Sequence, residues 1–86
     1  MILISHRGNI NGAIPEMENH PDYIKKALAE GYDVEVDVWY IKDAFYLGHD
    51  NPQYRIDKIF LQTDGLWIHC KNVEALEQLK FYRTVN

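Results

Sequence analysis

Asp33-Val34-Glu35-Val36-Asp37-Val38-Trp39-Tyr40-Ile41 alternates without a break. Successive side chains of an extended strand point to opposite faces. Val34, Val36 and Val38 therefore share one face, and Glu35, Asp37 and Trp39 share the other. A valine face calls for an apolar layer against it. Two readings of the acidic face stay open. In a central strand of a β/α unit neither face meets solvent, so the two carboxylates point into an interior and need a partner for their charge. At the exposed edge of a two-layer sheet they simply face water.

Outward from this strand the chain alternates strand and helix. Lys42-Asp43 predicts a tight turn into a second strand over residues 44–47, which ends at Gly48-His49-Asp50. Upstream, Pro21 suits the first position of a helix over residues 21–30, with Ile24, Ala27 and Leu28 on one stripe and Gly31 as its stop. Residues 9–19 read as loop. Residues 2–5 read as a short strand buried on both faces. Downstream, Asn51-Pro52 opens a loop, and Asp57 caps a short helix through Gln62. Asp64-Gly65 turns the chain into a strand over residues 66–70. Asn72 caps a last helix over residues 73–82, with Val73, Leu76 and Leu79 on its inner stripe. Strands alternating with helices give an α/β fold built on a parallel sheet.

The chain has 86 residues, which is room for one small domain. Hydrophobic residues make up 47%, too many for a disordered tail. The net charge of -4 and the lack of a basic run argue against nucleic acid as a partner. The single cysteine, Cys70, forms no internal disulfide and fits the reducing cytoplasm. The apolar run at residues 1–4 is too short for a membrane span or a signal-peptide core. The expectation is a soluble cytoplasmic protein without a membrane span.

Chemistry concentrates at strand ends, where parallel α/β folds build their sites. His6 closes the first strand, with Arg7 as a fixed cation and Gly8 to turn the backbone. His49, followed by Asp50, closes the hairpin. Two histidines can divide general acid and general base work. Taken singly, each reads as an ordinary loop histidine. On the third core strand Trp67, His69 and Lys71 share a face. His69 is a metal ligand or a core histidine; Lys71 meets a phosphate or reaches solvent. His20 reads as a helix-start residue. Cys70 falls on the apolar side, and Tyr40, Phe45 and Tyr46 read as hairpin packing.

His6-Arg7-Gly8, Glu18-Asn19, Glu35-x-Asp37 and His49-Asp50 stand in the order found in glycerophosphodiester phosphodiesterases and the wider phospholipase C-like phosphodiesterase superfamily. The chain resembles the N-terminal portion of that family over residues 2–50, and more loosely to Lys71. The resemblance implies a TIM-type (β/α) barrel and hydrolysis of a small-molecule phosphodiester beside a hydroxyl-bearing alcohol. It implies His6 and His49 as acid and base, and Arg7 and Lys71 as phosphate-binding groups. It also implies a divalent cation, Mg2+ or Ca2+, held by Glu35 and Asp37, with His69 where the family carries its third ligand. Glu18 and Asp50 would support these groups. Three departures stand out. His69-Cys70-Lys71 replaces the family's Glu-x-Lys, Pro15 lies three residues before Glu18-Asn19 instead of beside it, and a closed barrel needs about 200–250 residues. Residues 1–86 are therefore expected to form a single incomplete barrel segment. It would hold about the first three βα units, with a hairpin after the second strand. Such a segment would join a missing C-terminal portion or a homo-oligomer, or persist as a non-catalytic remnant that binds metal or phosphate weakly.

Overall fold

A computed structural model describes residues 3–79. The elements run β1 (Ile4–His6), α1 (Pro21–Ala29), β2 (Asp33–Ile41), β3 (Ala44–Leu47), β4 (Tyr54–Ile56), α2 (Lys58–Leu61), β5 (Leu66–Cys70) and α3 (Val73–Gln78). The fold is α/β, with a five-stranded mixed sheet and three helices. No described helix is long and apolar enough to cross a membrane.

The alternating stretch becomes β2, which organises everything else. Its first half pairs in parallel with β1 along one edge, Ser5 opposite Val34 and His6 opposite Glu35. Its other edge pairs in parallel with β5, Val34 opposite Leu66 through Val38 opposite Cys70. Its second half pairs antiparallel with β3, Val38 opposite Leu47 and Ile41 opposite Ala44. Lys42 and Asp43 both take left-handed backbone angles, φ 50° and 65°, which gives the hairpin turn whose twist matches its strands. β4 then adds antiparallel to β3.

Val34, Val36 and Val38 lose all solvent contact. Ile24 and Ala27 of α1, Leu61 of α2, and Leu79 following α3 join them in one core cluster with Leu47, Leu66 and Ile68. Among the described residues all three helices serve the valine face, and none covers the other. Each buried aliphatic side chain contributes about 1.5–3 kcal/mol. The caps are those the sequence predicts. The His20 ring nitrogen accepts from the Asp22 amide (3.1 Å), Asp57 accepts from Phe60 (2.9 Å), and Asn72 accepts from Ala75 (3.0 Å). Tyr40 packs on Phe45 with ring centres 4.7 Å apart.

Three expectations change, and two reach beyond the described residues. β1 covers Ile4–His6 and is not buried on both faces: Ser5 is buried, while Ile4 is exposed because no helix lies over its side of the sheet. The expected strand's first residue, Ile2, lies outside the described residues. β4 occupies a stretch that reads as loop, since three residues are too few to show a period. The inner stripe of α3 is Ala75 and Leu79, while Val73 is 70% exposed and Leu76 40%. The helix is rotated from the expected stripe because Asn72 is bonded to β2 and fixes where the first turn starts. Residues 80–82 of the expected last helix lie outside the described residues.

Candidate functional site

The face opposite the valines carries the chemistry. Parallel register puts His6 beside Glu35 and Asp37 beside His69. The His6 Nδ1 lies 3.2 Å from Glu35 Oε1, and the His69 Nδ1 lies 3.1 Å from Asp37 Oδ1. Asp37 is the hub. It is 1% exposed, so its carboxylate depends on protein donors for what water would supply. Arg7 donates from Nε to Oδ2 at 3.0 Å, and Asn19 donates from Nδ2 to the same oxygen at 2.9 Å. Arg7 also donates from Nη1 to Glu18 Oε1 (3.3 Å), and Asn9 donates to the other Glu18 oxygen (2.9 Å).

Local backbone geometry explains how these residues meet. β1 stops pairing after Arg7, whose amide donates to the Glu35 carbonyl, and β3 arrives further along the same edge of β2. That leaves a gap in the ladder at Asp37. Asn19 fills it: its Oδ1 accepts from the Asp37 amide (2.9 Å), while the Asp37 carbonyl accepts from Gly48 (3.1 Å). Arg7 (φ 59°) and Asn19 (φ 65°) both adopt left-handed angles, and the Asn19 amide donates to the Arg7 carbonyl at 3.0 Å. Strained backbone of this kind persists only where its surroundings fix it. Gly8 is required by close approach, since a Cβ there would sit 2.8 Å from the Tyr23 ring. Gly48 is required for the same reason; a Cβ would collide with the Asn51 carbonyl.

The expected residues separate into two groups. His6, Arg7, Glu18, Glu35, Asp37 and His69 belong to one hydrogen-bonded assembly across three strands. His49 makes no hydrogen bond to that assembly but adjoins it, lining with Pro15, Asp50, Asn51, Gln53 and the assembly's own Glu18 a cleft of about 120 Å³. Its Nδ1 lies 3.0 Å from Asp50 Oδ1, and Asp50 is 90% exposed. Lys71 continues the β5 ladder through its amide to the Val38 carbonyl (2.8 Å) and borders an open groove with Cys70, Asn72, Val73 and Leu76. Burial pushes the Cys70 thiol up, which favours the unreactive thiol form over a nucleophilic thiolate.

Two acids on one face match neither simple reading. Helices cover one face only, as in the two-layer reading, yet Asp37 is buried by its own hydrogen-bond partners. As placed, the donor set does not fit a divalent cation held by Glu35, Asp37 and His69. Both Asp37 oxygens are taken by Arg7, Asn19 and His69, and His69 turns its Nδ1 to Asp37. Among the described residues no group of three or more His, Cys, Asp or Glu side chains is placed to share one ion.

Asn19 and Asn9 are the site residues that the sequence does not single out as ligands or supports. The signals for Asn19 are its place in the Glu18-Asn19 motif and its residue type, since asparagine tolerates a left-handed backbone better than most residues. No family model, no curated protein and no solved structure matches the chain.

Proposed function

We propose that this chain forms the N-terminal, active-site part of a phosphoric diester hydrolase of the glycerophosphodiester type. The observation that carries the reading is the single assembly of His6, Arg7, Glu18, Glu35, Asp37 and His69 on the sheet face that the helices leave open. Three further features support a partial (β/α) barrel. β1, β2 and β5 are parallel neighbours, the helices lie on their common apolar face, and the polar side chains occupy the face that would turn inward.

In this reading Arg7 neutralises phosphate charge with the N–H groups it does not spend on Asp37 and Glu18. Lys71 adds a second cation at the strand end. His6 is one proton-transfer group, with Glu35 orienting its ring, and the resemblance gives His49 as the other. No step is assigned to a metal ion. The substrate is a small-molecule diester whose alcohol bears a neighbouring hydroxyl, and the location is the cytoplasm. The open sheet face favours a second reading, in which the same residues bind phosphate without turnover until a further segment or another copy covers them.

Hydrolysis of glycerophosphodiesters by the purified chain tests both, measured with Mg2+, with Ca2+ and with chelator. The first reading expects turnover that falls at least about 100-fold in His6→Ala, the usual scale of acid–base catalysis. The His6 side chain is 71% exposed, so that variant keeps its fold. Absence of turnover from folded native chain leaves the second reading standing and removes the first.

A further inference from the structure

We propose that the outer edge of β5 docks a second copy of this chain, the two β5 strands pairing antiparallel about a two-fold axis at Ile68. The inference goes beyond the hydrolase reading and stands without it.

The argument starts from where the backbone of β5 points. The Gly65 carbonyl accepts from the Val34 amide, and the Lys71 amide donates to the Val38 carbonyl, both at 2.8 Å. Along a strand, successive residues aim their backbone groups at opposite edges. Gly65, Trp67, His69 and Lys71 therefore face β2, while Leu66, Ile68 and Cys70 face away from it. Among the described strands β5 pairs with β2 alone. The Leu66 amide turns back to the Thr63 carbonyl (3.4 Å). The outward amides and carbonyls of Ile68 and Cys70 have no strand beside them among the described residues.

A row of unused N–H and C=O groups is a template for another strand, and sheets usually blunt it with short strands or charge. The other outer strands are blunted in this way. β1 and β4 are three residues long, and β4 carries exposed Arg55 at its centre. β5 is five residues long and has no proline, lysine or arginine within it.

The edge is also complementary to itself. With Ile68 on the axis, Ile68 faces its own copy and Leu66 faces Cys70. Directly opposite residues of an antiparallel pair share a face. The two valine faces therefore join, and so do the two polar faces. The same register brings Lys71, at the end of one β5, to the turn that holds exposed Asp64 before the other. Two-fold symmetry makes that contact twice. Apolar surface lies alongside. Exposed Val73 and Leu76 border an open groove of about 240 Å³ with Cys70 and Lys71. A stable dimer needs about 800 Å² from each copy, and the groove extends the contact beyond the strand itself.

The test is sedimentation equilibrium of native chain, Asp64→Lys, Lys71→Asp and the double variant, paired with amide exchange read residue by residue. The expected result is a native dimer whose dissociation constant rises at least about ten-fold in each single variant, because like charges then meet at both contacts. The double variant restores opposite charges and should dimerise like native. Asp64 is exposed and Lys71 is half-buried at a strand end, so the fold should persist, which circular dichroism checks. The Ile68 and Cys70 amides should exchange slowly in the dimer and rapidly after dilution to monomer. A native chain that stays monomeric overturns the proposal. A dimer that both single variants leave intact overturns it too, as does one that the folded double variant fails to restore. Slow exchange of both amides in a monomer also overturns it, because another segment of the same chain then holds the edge.

Discussion

Asn19 shows how much one side chain carries here. It has no solvent contact and holds a φ of 65°. Its amide accepts from the Asp37 N–H and donates to the Asp37 carboxylate, so it replaces a missing strand and steadies the hub in one move. Removing the amide leaves a buried N–H without a partner, which costs about 1–3 kcal/mol. Placing an ordinary side chain at positive φ adds about 1 kcal/mol. Asn19→Ala should therefore lose about 2–4 kcal/mol in urea unfolding. Asn19→Gly, free of the backbone penalty, should lose roughly 1 kcal/mol less than the alanine variant. Equal losses would show that the backbone angle is not strained. The sequence makes the hub itself visible, because strict alternation puts Glu35 and Asp37 on one face. It hides the role of Asn19, because the bond forms only where β1 stops pairing and β3 has not begun. The pairing of His69 with Asp37 is hidden in the same way, since it depends on the register between β2 and β5.

At the scale of elements, asparagines complete β2 on both edges. Asn72 does on the β5 side what Asn19 does on the β1 side: its Oδ1 accepts from Tyr40 N–H (3.2 Å) and its Nδ2 donates to the Tyr40 carbonyl (3.0 Å). The same Oδ1 caps α3 through Ala75. A helix of six residues is too short to persist by propensity, so its placement depends on this anchor and on Ala75 and Leu79. Asn72→Ala should cost about 2–3 kcal/mol, roughly 1 for the cap and the rest for the two strand bonds. Asn72→Asp keeps the acceptor for both the Ala75 and the Tyr40 amides but sets a carboxylate against the Tyr40 carbonyl, and should recover only part of the loss. Full recovery by aspartate would mean that the bond to the Tyr40 carbonyl carries nothing. The cap itself is legible from sequence. The strand bonds are not, and they explain why Val73, apparently on the inner stripe, points outward. β4 escapes sequence reading for a different reason: Tyr54–Ile56 offers one and a half periods of alternation between a proline-containing loop and a helix cap.

For the whole molecule the decisive fact is a sheet buried on one side. The valine face and its helices make one small core, and a chain of 86 residues has little stability to spare. The opposite face gathers cationic and imidazole groups around a buried carboxylate, so any anion that settles there binds the folded state alone. Such a ligand raises stability by RT ln(1 + [L]/Kd), about 1.4 kcal/mol at ten times Kd. In a domain of this size that is a rise of roughly 6–11 °C in the melting midpoint. Phosphate also stabilises proteins generally by exclusion from their surfaces, and that contribution is common to every variant. The site's own share is therefore the difference between native chain and His6→Ala in the same phosphate series. The His6 side chain is largely exposed, so the two should melt together in chloride. In phosphate the native midpoint should climb further and saturate, while His6→Ala follows only the general trend. Parallel curves would remove phosphate from the open face, and with it the reason for reading that face as a hydrolase site.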